Sequence, residues 1–267
     1  MKEKRFTLKI MDVIYENEKT ITFIFKHKIK SGPGQFIMLS DLENGEKPFS
    51  ISSCDGSSFG VTMKIVGEFT GKLSALKPGD MVSIRGPYGS TFTIPEGKRC
   101  LITGGGCGVP PLFFLAGRLI ERNNTVTAVT GFKTGSEAMC VNEFEKTGIR
   151  PVIMTDDGSL GARGTVLDAM RDILKKERPD MIYAAGPEIM LKKVMDASDG
   201  IPCEILVERY MKCAIGICGQ CAMDPIGLRV CVEGPVLNKR AVGLLSEFGA
   251  YRRDASGAKE FFCGATH

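Results

Sequence analysis

Cys100-Leu-Ile-Thr-Gly-Gly-Gly-Cys-Gly-Val-Pro-Pro111 joins a short apolar strand, Cys100 to Thr103, to a glycine run and then to an apolar helix, Pro110 to Arg122. Glycines let a backbone turn tightly and bring its N–H groups against a pyrophosphate, and a helix N-terminus adds partial positive charge. Gly104, Gly105, Gly106 and Gly108 are therefore candidate nucleotide-binding residues, with Pro110 where the dinucleotide fingerprint usually carries its third glycine. A plain tight turn would use the same glycines. The nucleotide reading is favoured because the run follows the first strand of an alternating series. Strands at Thr125 to Thr130, Val152 to Thr155 and Met181 to Ala185 alternate with helices at Glu137 to Lys146, Thr165 to Lys176 and Pro187 to Ala197. This alternation predicts a parallel α/β domain over 98–200, with helices on both faces. The strand ends Thr155-Asp156-Asp-Gly158 and Ala185-Gly186-Pro187-Glu188 fall on the carboxyl edge of that sheet, where such folds bind ligands. Asp156, Gly186 and Pro187 join the candidate site on that ground. Thr165 and Asp168 are spaced as a capping box.

Upstream, residues 1–97 read as short strands: Phe6 to Ile10, Thr20 to Phe25, Phe36 to Leu39, Phe49 to Ser53, Gly60 to Val66 and Met81 to Arg85. Turn formers separate them, which predicts a small antiparallel β-barrel. Within it, Lys47-Pro-Phe-Ser50 can lay backbone and a hydroxyl against a flavin ring. Thr70, at the start of a short helix after Gly67, can cap that helix or meet a phosphate. A strand and a helix cap need no ligand to explain them, so both readings stand at this point.

Downstream, Cys213-x4-Cys218-x2-Cys221-x9-Cys231 dominates residues 201–267. The first three match the plant-type spacing that loops a backbone around a [2Fe–2S] cluster, with a fourth cysteine closing the coordination. Ala214, Gly216 and Gly219 are small enough for amides to approach the sulfides. A four-cysteine zinc site is the alternative, although zinc ligands usually come as two knuckles rather than three from one loop. This third unit has little apolar content of its own, so something else must hold it together.

Composition narrows the classes. The chain has 267 residues, 43% apolar and 25% charged, with a net charge of +4. That mild excess, without a basic stripe, argues against nucleic-acid binding. The most apolar stretch, Leu101 to Ile120, is broken by glycines, prolines and Arg118, so no membrane span is expected. No signal peptide is seen, and ten cysteines then point to a reducing, cytoplasmic setting and to metal binding. His27 and His267 are the only histidines, which disfavours a multi-histidine centre.

Together these segments resemble the ferredoxin-reductase superfamily: a flavin barrel, a nicotinamide-nucleotide domain and an appended [2Fe–2S] domain. Lys47-Pro-Phe-Ser50 is similar to its flavin motif, Gly67 to Thr70 to its phosphate segment, Gly104 to Pro110 to its nucleotide loop, and Gly186-Pro187 to its last strand end. Val207 to Cys221, followed by Val230-Cys-Val-Glu-Gly-Pro235, resembles the electron-transfer subunits of NAD-linked (type B) dihydroorotate dehydrogenases. That resemblance implies FAD held by Lys47, Pro48, Phe49, Ser50, Met63, Lys64, Ile65, Thr70 and Gly71. It implies a [2Fe–2S] cluster on Cys213, Cys218, Cys221 and Cys231, and NAD on the glycine loop, with no catalytic acid or base. It also implies an FMN-containing catalytic partner, in a heterotetramer of two of each, whose electrons reach NAD+ through the cluster and FAD during pyrimidine biosynthesis. Two other readings remain open on sequence: a flavin/iron–sulfur diaphorase subunit of an NAD(P)-linked hydrogenase, and a zinc-stabilised binding module. Departures from the family pattern are Lys47 where arginine is usual, Phe69 where many members have glycine, and Ala185 where cysteine is common.

Overall fold

The computed structural model describes residues 5–262; Cys263 and His267 lie outside them. Seven strands open the chain: β1 (Arg5–Lys9), β2 (Asp12–Asn17), β3 (Thr20–Phe25), β4 (Phe36–Ser40), β5 (Glu46–Cys54), β6 (Phe59–Lys64) and β7 (Met81–Tyr88). They pair antiparallel in the order β1-β7-β4-β5-β6-β3-β2. The two edge strands are consecutive in sequence. Ile10 donates its N–H to Asp80 O at 2.9 Å and Met11 donates to Ile24 O at 2.8 Å. The chain thus steps from one edge of the sheet to the other and curls it into the expected barrel. Period-two alternation sends Ile21, Phe23, Phe25, Ile51, Val61 and Met63 inward, where all are buried. Strand β2 is absent from the sequence reading because only Val13 packs against the core while its neighbours Ile14 and Tyr15 are exposed. Tyr15 is 70% exposed, and β2 pairs with β3 alone. Helix α1 (Glu68–Ser74) lies between β6 and β7.

The second sheet contains β8 (Arg99–Gly105), β9 (Thr125–Phe132), β10 (Val152–Thr155), β11 (Ala162–Arg163), β12 (Met181–Ala185) and β13 (Cys203–Leu206). Helices α2 (Val109–Ile120), α3 (Val141–Lys146), α4 (Val166–Lys176) and α5 (Glu188–Ala197) connect them. The helix expected over Glu137 to Lys146 is shorter, because Cys140 sits at φ +60° and separates α3 from a single turn at Gly135–Glu137. The Thr165–Asp168 capping box forms as expected at the start of α4.

After β13 the chain makes a small hairpin, β14 (Ala222–Met223) and β15 (Leu228–Arg229), and returns as β16 (Val236–Asn238). The sheet order is β11-β10-β9-β8-β12-β13-β16, with only β16 antiparallel. The parallel sheet therefore runs past residue 200, and the cysteine segment hangs between two of its neighbouring strands. Its missing core is shared: Met211, Cys221, Met223, Val230 and Cys231 pack in one cluster with Leu101, Ile182 and Ile205 of the sheet. Helix α6 (Lys239–Val242) and a hairpin of β17 (Tyr251–Arg253) and β18 (Lys259–Phe261) complete the fold. No helix among the described residues is long and apolar enough to cross a membrane.

Candidate nucleotide, flavin and cluster sites

A cavity of about 760 Å³ opens at the carboxyl edge of the parallel sheet. Of the sequence candidates, Gly105, Gly106, Gly108, Asp156, Gly186 and Pro187 line it. Gly104 and Pro110 are buried behind it and serve the turn itself. Two glycines show why the loop needs them. A Cβ on Gly108 would overlap the backbone of Ala185, so the loop lies directly on the end of β12. Gly106 sits at φ +50° with open space where a Cβ would project, so its backbone is bare towards the cavity. The hydroxyls of Thr103 and Thr130 are buried without hydrogen-bond partners, just before the cavity-lining Gly105 and Gly131. Bare amides, the start of α4 and the cations Lys133, Arg171 and Lys193 make a wall suited to a pyrophosphate. A nicotinamide nucleotide fits this chemistry.

Sequence reasoning missed several parts of the wall. Glu208 and Arg252 come from beyond the parallel domain; Lys64, expected at the flavin, instead reaches over from the barrel to line this cavity and pair with Glu137 at 3.3 Å. Crowding by the cavity walls raises the Glu208 carboxyl, with Arg252 opposing and Glu188 adding to the rise.

On the barrel, Lys47, Pro48, Phe49 and Ser50 form the half-buried start of β5. The Phe49 ring stacks on Phe69 at 6.4 Å and 17°. Ile65 is tied by its N–H to Lys19 O at 2.8 Å, and Gly71 faces open space. Met63 points into the barrel core, leaving only its backbone for a ligand. The Thr70 hydroxyl accepts from the amides of Val66 at 2.9 Å and Gly67 at 3.1 Å, which is the capping reading of this residue.

The cysteine loop lies against β5. Lys47 Nζ donates to Tyr210 Oη at 2.8 Å and sits over its ring. Buried Arg85 of β7 forms a bidentate pair with Glu46, the residue before Lys47, and also donates to the Cys213 carbonyl at 3.3 and 3.4 Å. Ala214 at φ +62° and Gly216 at φ +80° turn the loop. A Cβ on Gly216 would press on Val232 at 2.7 Å.

The Cys218 amide donates to Cys213 Sγ and the Cys231 amide to Cys221 Sγ, each at 3.5 Å, which groups the four cysteines as two pairs. Among the described residues no three His, Cys, Asp or Glu side chains gather to hold one ion. One zinc ion would need all four sulfurs in a single shell, whereas a two-iron cluster takes two thiolates on each iron. The paired donor set fits the cluster. Burial works to raise the Cys213 thiol, but the amides of Cys218 and Ile215 outweigh it and bring it down to about 7. Contact with Cys231 brings Cys221 down to about 6 and pushes Cys231 up. Low-lying thiols are the ones that ligate metal readily.

A buried ion network fastens this loop to the nucleotide domain. Arg209 pairs with Glu188 at the start of α5 and, at 2.9 Å, with Glu247; Arg209 and Glu247 side chains are 2% and 1% exposed. Glu247 in turn accepts the Asp224 amide at 3.0 Å.

Comparison with known proteins agrees with this anatomy. The model for the iron–sulfur cluster binding domain of dihydroorotate dehydrogenase B matches residues 208–243. A protein of Methanocaldococcus jannaschii, described as a probable dihydroorotate dehydrogenase B (NAD(+)), electron transfer subunit, is 41% identical over 97% of this chain and all of its own length. Its counterpart in Methanothermobacter thermautotrophicus is 40% identical, over 94% of this chain and 96% of its own. Among solved structures, the NADH-dependent reduced ferredoxin-NADP oxidoreductase superimposes with a TM-score of 0.78 at 28% identity, covering 90% of this chain and 93% of that one. With near-complete coverage at about 40% identity, the chain belongs to the family of dihydroorotate dehydrogenase B electron-transfer subunits.

Proposed function

We propose that this chain carries electrons from a dihydroorotate-oxidising, FMN-containing partner subunit to NAD+. The observation that supports this best is the Arg85 clamp, which holds Glu46 beside the flavin motif and the Cys213 carbonyl beside the first ligand pair in one guanidinium. Cys213, Cys218, Cys221 and Cys231 hold the [2Fe–2S] cluster, Lys47 to Ser50 with Gly71 hold FAD, and the glycine loop holds NAD. When bound, a flavin exchanges electrons singly with an iron–sulfur centre and as a hydride with a nicotinamide.

The chain's own residues bind, space and shield these groups, and no side chain need act as catalytic acid or base. Lys47 and Tyr210 tie the cysteine loop to the flavin strand. Lys64 and Glu137 tie the barrel to the nucleotide wall. Around the cysteines, Ile217 is 79% exposed and Ile215 and Val232 are also open, next to exposed Cys218. An apolar patch beside a redox centre suits docking of the partner, in a cytoplasmic heterotetramer of two of each subunit.

Isolation of the native complex, with whatever subunit co-purifies, tests the reading. The purified complex should contain FAD, FMN, iron and sulfide and reduce NAD+ with dihydroorotate; a partner carrying nickel instead of FMN would overturn it. The nucleotide arm has its own check. Gly106→Val should weaken NADH binding at least about tenfold, equivalent to about 1.4 kcal/mol, measured by flavin-quench titration with FAD content unchanged.

A further inference from the structure

We propose that a row of side chains crossing the barrel, Glu16–Thr22–Thr62–Ser52, conducts the proton that NADH formation consumes. The inference rests on the function proposed above and deepens it. The need follows from balance: NAD+ + 2e− + H+ → NADH. Electrons arriving through an iron–sulfur centre bring no proton with them. Each NADH made at the flavin must therefore draw one proton from the protein or solvent.

The row is hydrogen-bonded without a break from Glu16 to Ser52. Thr22 Oγ1 lies 2.6 Å from Glu16 Oε1, Thr22 and Thr62 Oγ1 atoms are 2.8 Å apart, and Thr62 Oγ1 is 2.9 Å from Ser52 Oγ. The four residues sit on or beside four adjacent strands, β2, β3, β6 and β5. Ile21, Phe23, Val61 and Ile51 fill the barrel, so the alternating hydroxyls face outward. That outer face is covered: Thr22 and Ser52 are buried, α2 packs on β5, and the glycine turn packs on β6. Ser52 follows the flavin-motif residue Ser50 by two positions, on the same side of β5. Glu16 lies at the other end, half-buried and open to solvent.

Proton counting gives the row two self-consistent states. With Glu16 ionised, Thr22 donates to the carboxylate and Thr62 to Thr22, and Ser52 must turn from accepting Thr62, as it does in this structure, to donating to it. With Glu16 protonated, every donation reverses. Passing from the second state to the first breaks the O–H bond at Glu16, remakes one in turn at Thr22, Thr62 and Ser52, and passes the proton displaced from Ser52 Oγ to the flavin side of β5, where formation of NADH consumes it. Rotation of the hydroxyls and reprotonation of Glu16 from solvent reset the path. Burial raises the Glu16 carboxyl, the Thr22 bond opposes this, and Glu143 of α3 raises it further. Cys140, beside α3, also interacts with Glu16, and burial keeps its thiol neutral. Glu16 thus holds a proton to higher pH than an ordinary glutamate.

Isotope washout tests the path without the partner. The FAD-loaded protein is mixed with NADH deuterated at both C4 positions and unlabelled NAD+ in ordinary water. Mass spectrometry then follows deuterium remaining in the nicotinamide pool. Thr62→Val, which keeps the shape and removes the relay proton, should slow loss of label to water about a hundredfold, the low end of what a positioned proton donor contributes. Thr62→Ser should restore it, and Glu16→Gln, at the half-exposed edge where folding is not at stake, should slow it similarly. FAD content and NADH affinity should not move. Washout at the wild-type rate in both Thr62→Val and Glu16→Gln would overturn the proton path. Failure of NADH to reduce the flavin in the wild-type protein would instead overturn the function on which it rests.

Discussion

Cys221→Ser is expected to abolish dihydroorotate-linked reduction of NAD+ while leaving NADH oxidation by artificial dyes largely intact. Cys221 is 3% exposed and packs in the core that the cysteine segment shares with the parallel sheet. A serine is small enough for that place, so folding is spared. Its hydroxyl does not ionise near neutrality, whereas the Cys221 thiol is held down to about 6. The Cys221–Cys231 pair loses half its donors, and the cluster with it. Dyes collect electrons at the flavin, upstream of any need for iron, and the flavin strand keeps its own contacts. The assay is a paired measurement on anaerobic protein with iron, sulfide and FAD determined on the same sample. If dye reduction disappeared equally in folded, FAD-containing protein, the cluster would not stand between partner and flavin.

Arg209→Met is expected to destabilise the protein by about 3–5 kcal/mol, the usual cost of removing one member of a buried charge network. The guanidinium neutralises two carboxylates, and both partners are nearly inaccessible. Without it, Glu188 is left as a nearly buried charge without its cation, and Glu247 keeps only Arg253 at 4.0 Å. The effect spreads because Glu188 also accepts the Gly249 amide at 2.6 Å and Glu247 the Asp224 amide at 3.0 Å. The cysteine loop and the C-terminal hairpin would loosen together. Thermal unfolding should show a fall of roughly 10 °C for a chain of this size. Arg209→Lys should recover only part of it, since one ammonium cannot replace a planar fork. A loss below about 1 kcal/mol, the level of an exposed pair, would show that the network is hydrated in solution.

Much of this architecture is legible locally. The glycine loop, the capping box at Thr165 and the alternation of Thr20 to Phe25 declare their elements because the information lies within a few residues. The spacing of Cys213, Cys218 and Cys221 declares its chemistry for the same reason. What is not legible is set by distant partners. Nothing near Arg85 in sequence announces that it grips Cys213, 128 residues away. Nothing near Glu208 or Arg252 announces a nucleotide cavity, because the chain must first fold β13 and the last hairpin against it. Strand β2 escaped because an edge strand with exposed Tyr15 lacks the buried face that makes alternation visible. The thin core of the cysteine segment is resolved only by seeing that it borrows Leu101 and Ile182 from its neighbour.

The strands bracketing the cysteine segment carry a consequence for how the protein acquires its metal. Leu206 and Val236 are paired neighbours in one sheet, so the segment is a loop whose mouth the sheet keeps shut. Small metal-nucleated domains recover the entropy of ring closure from ligation alone. Here the β13–β16 pairing closes the ring without the ligands, so ligation need not supply that part of the closure entropy.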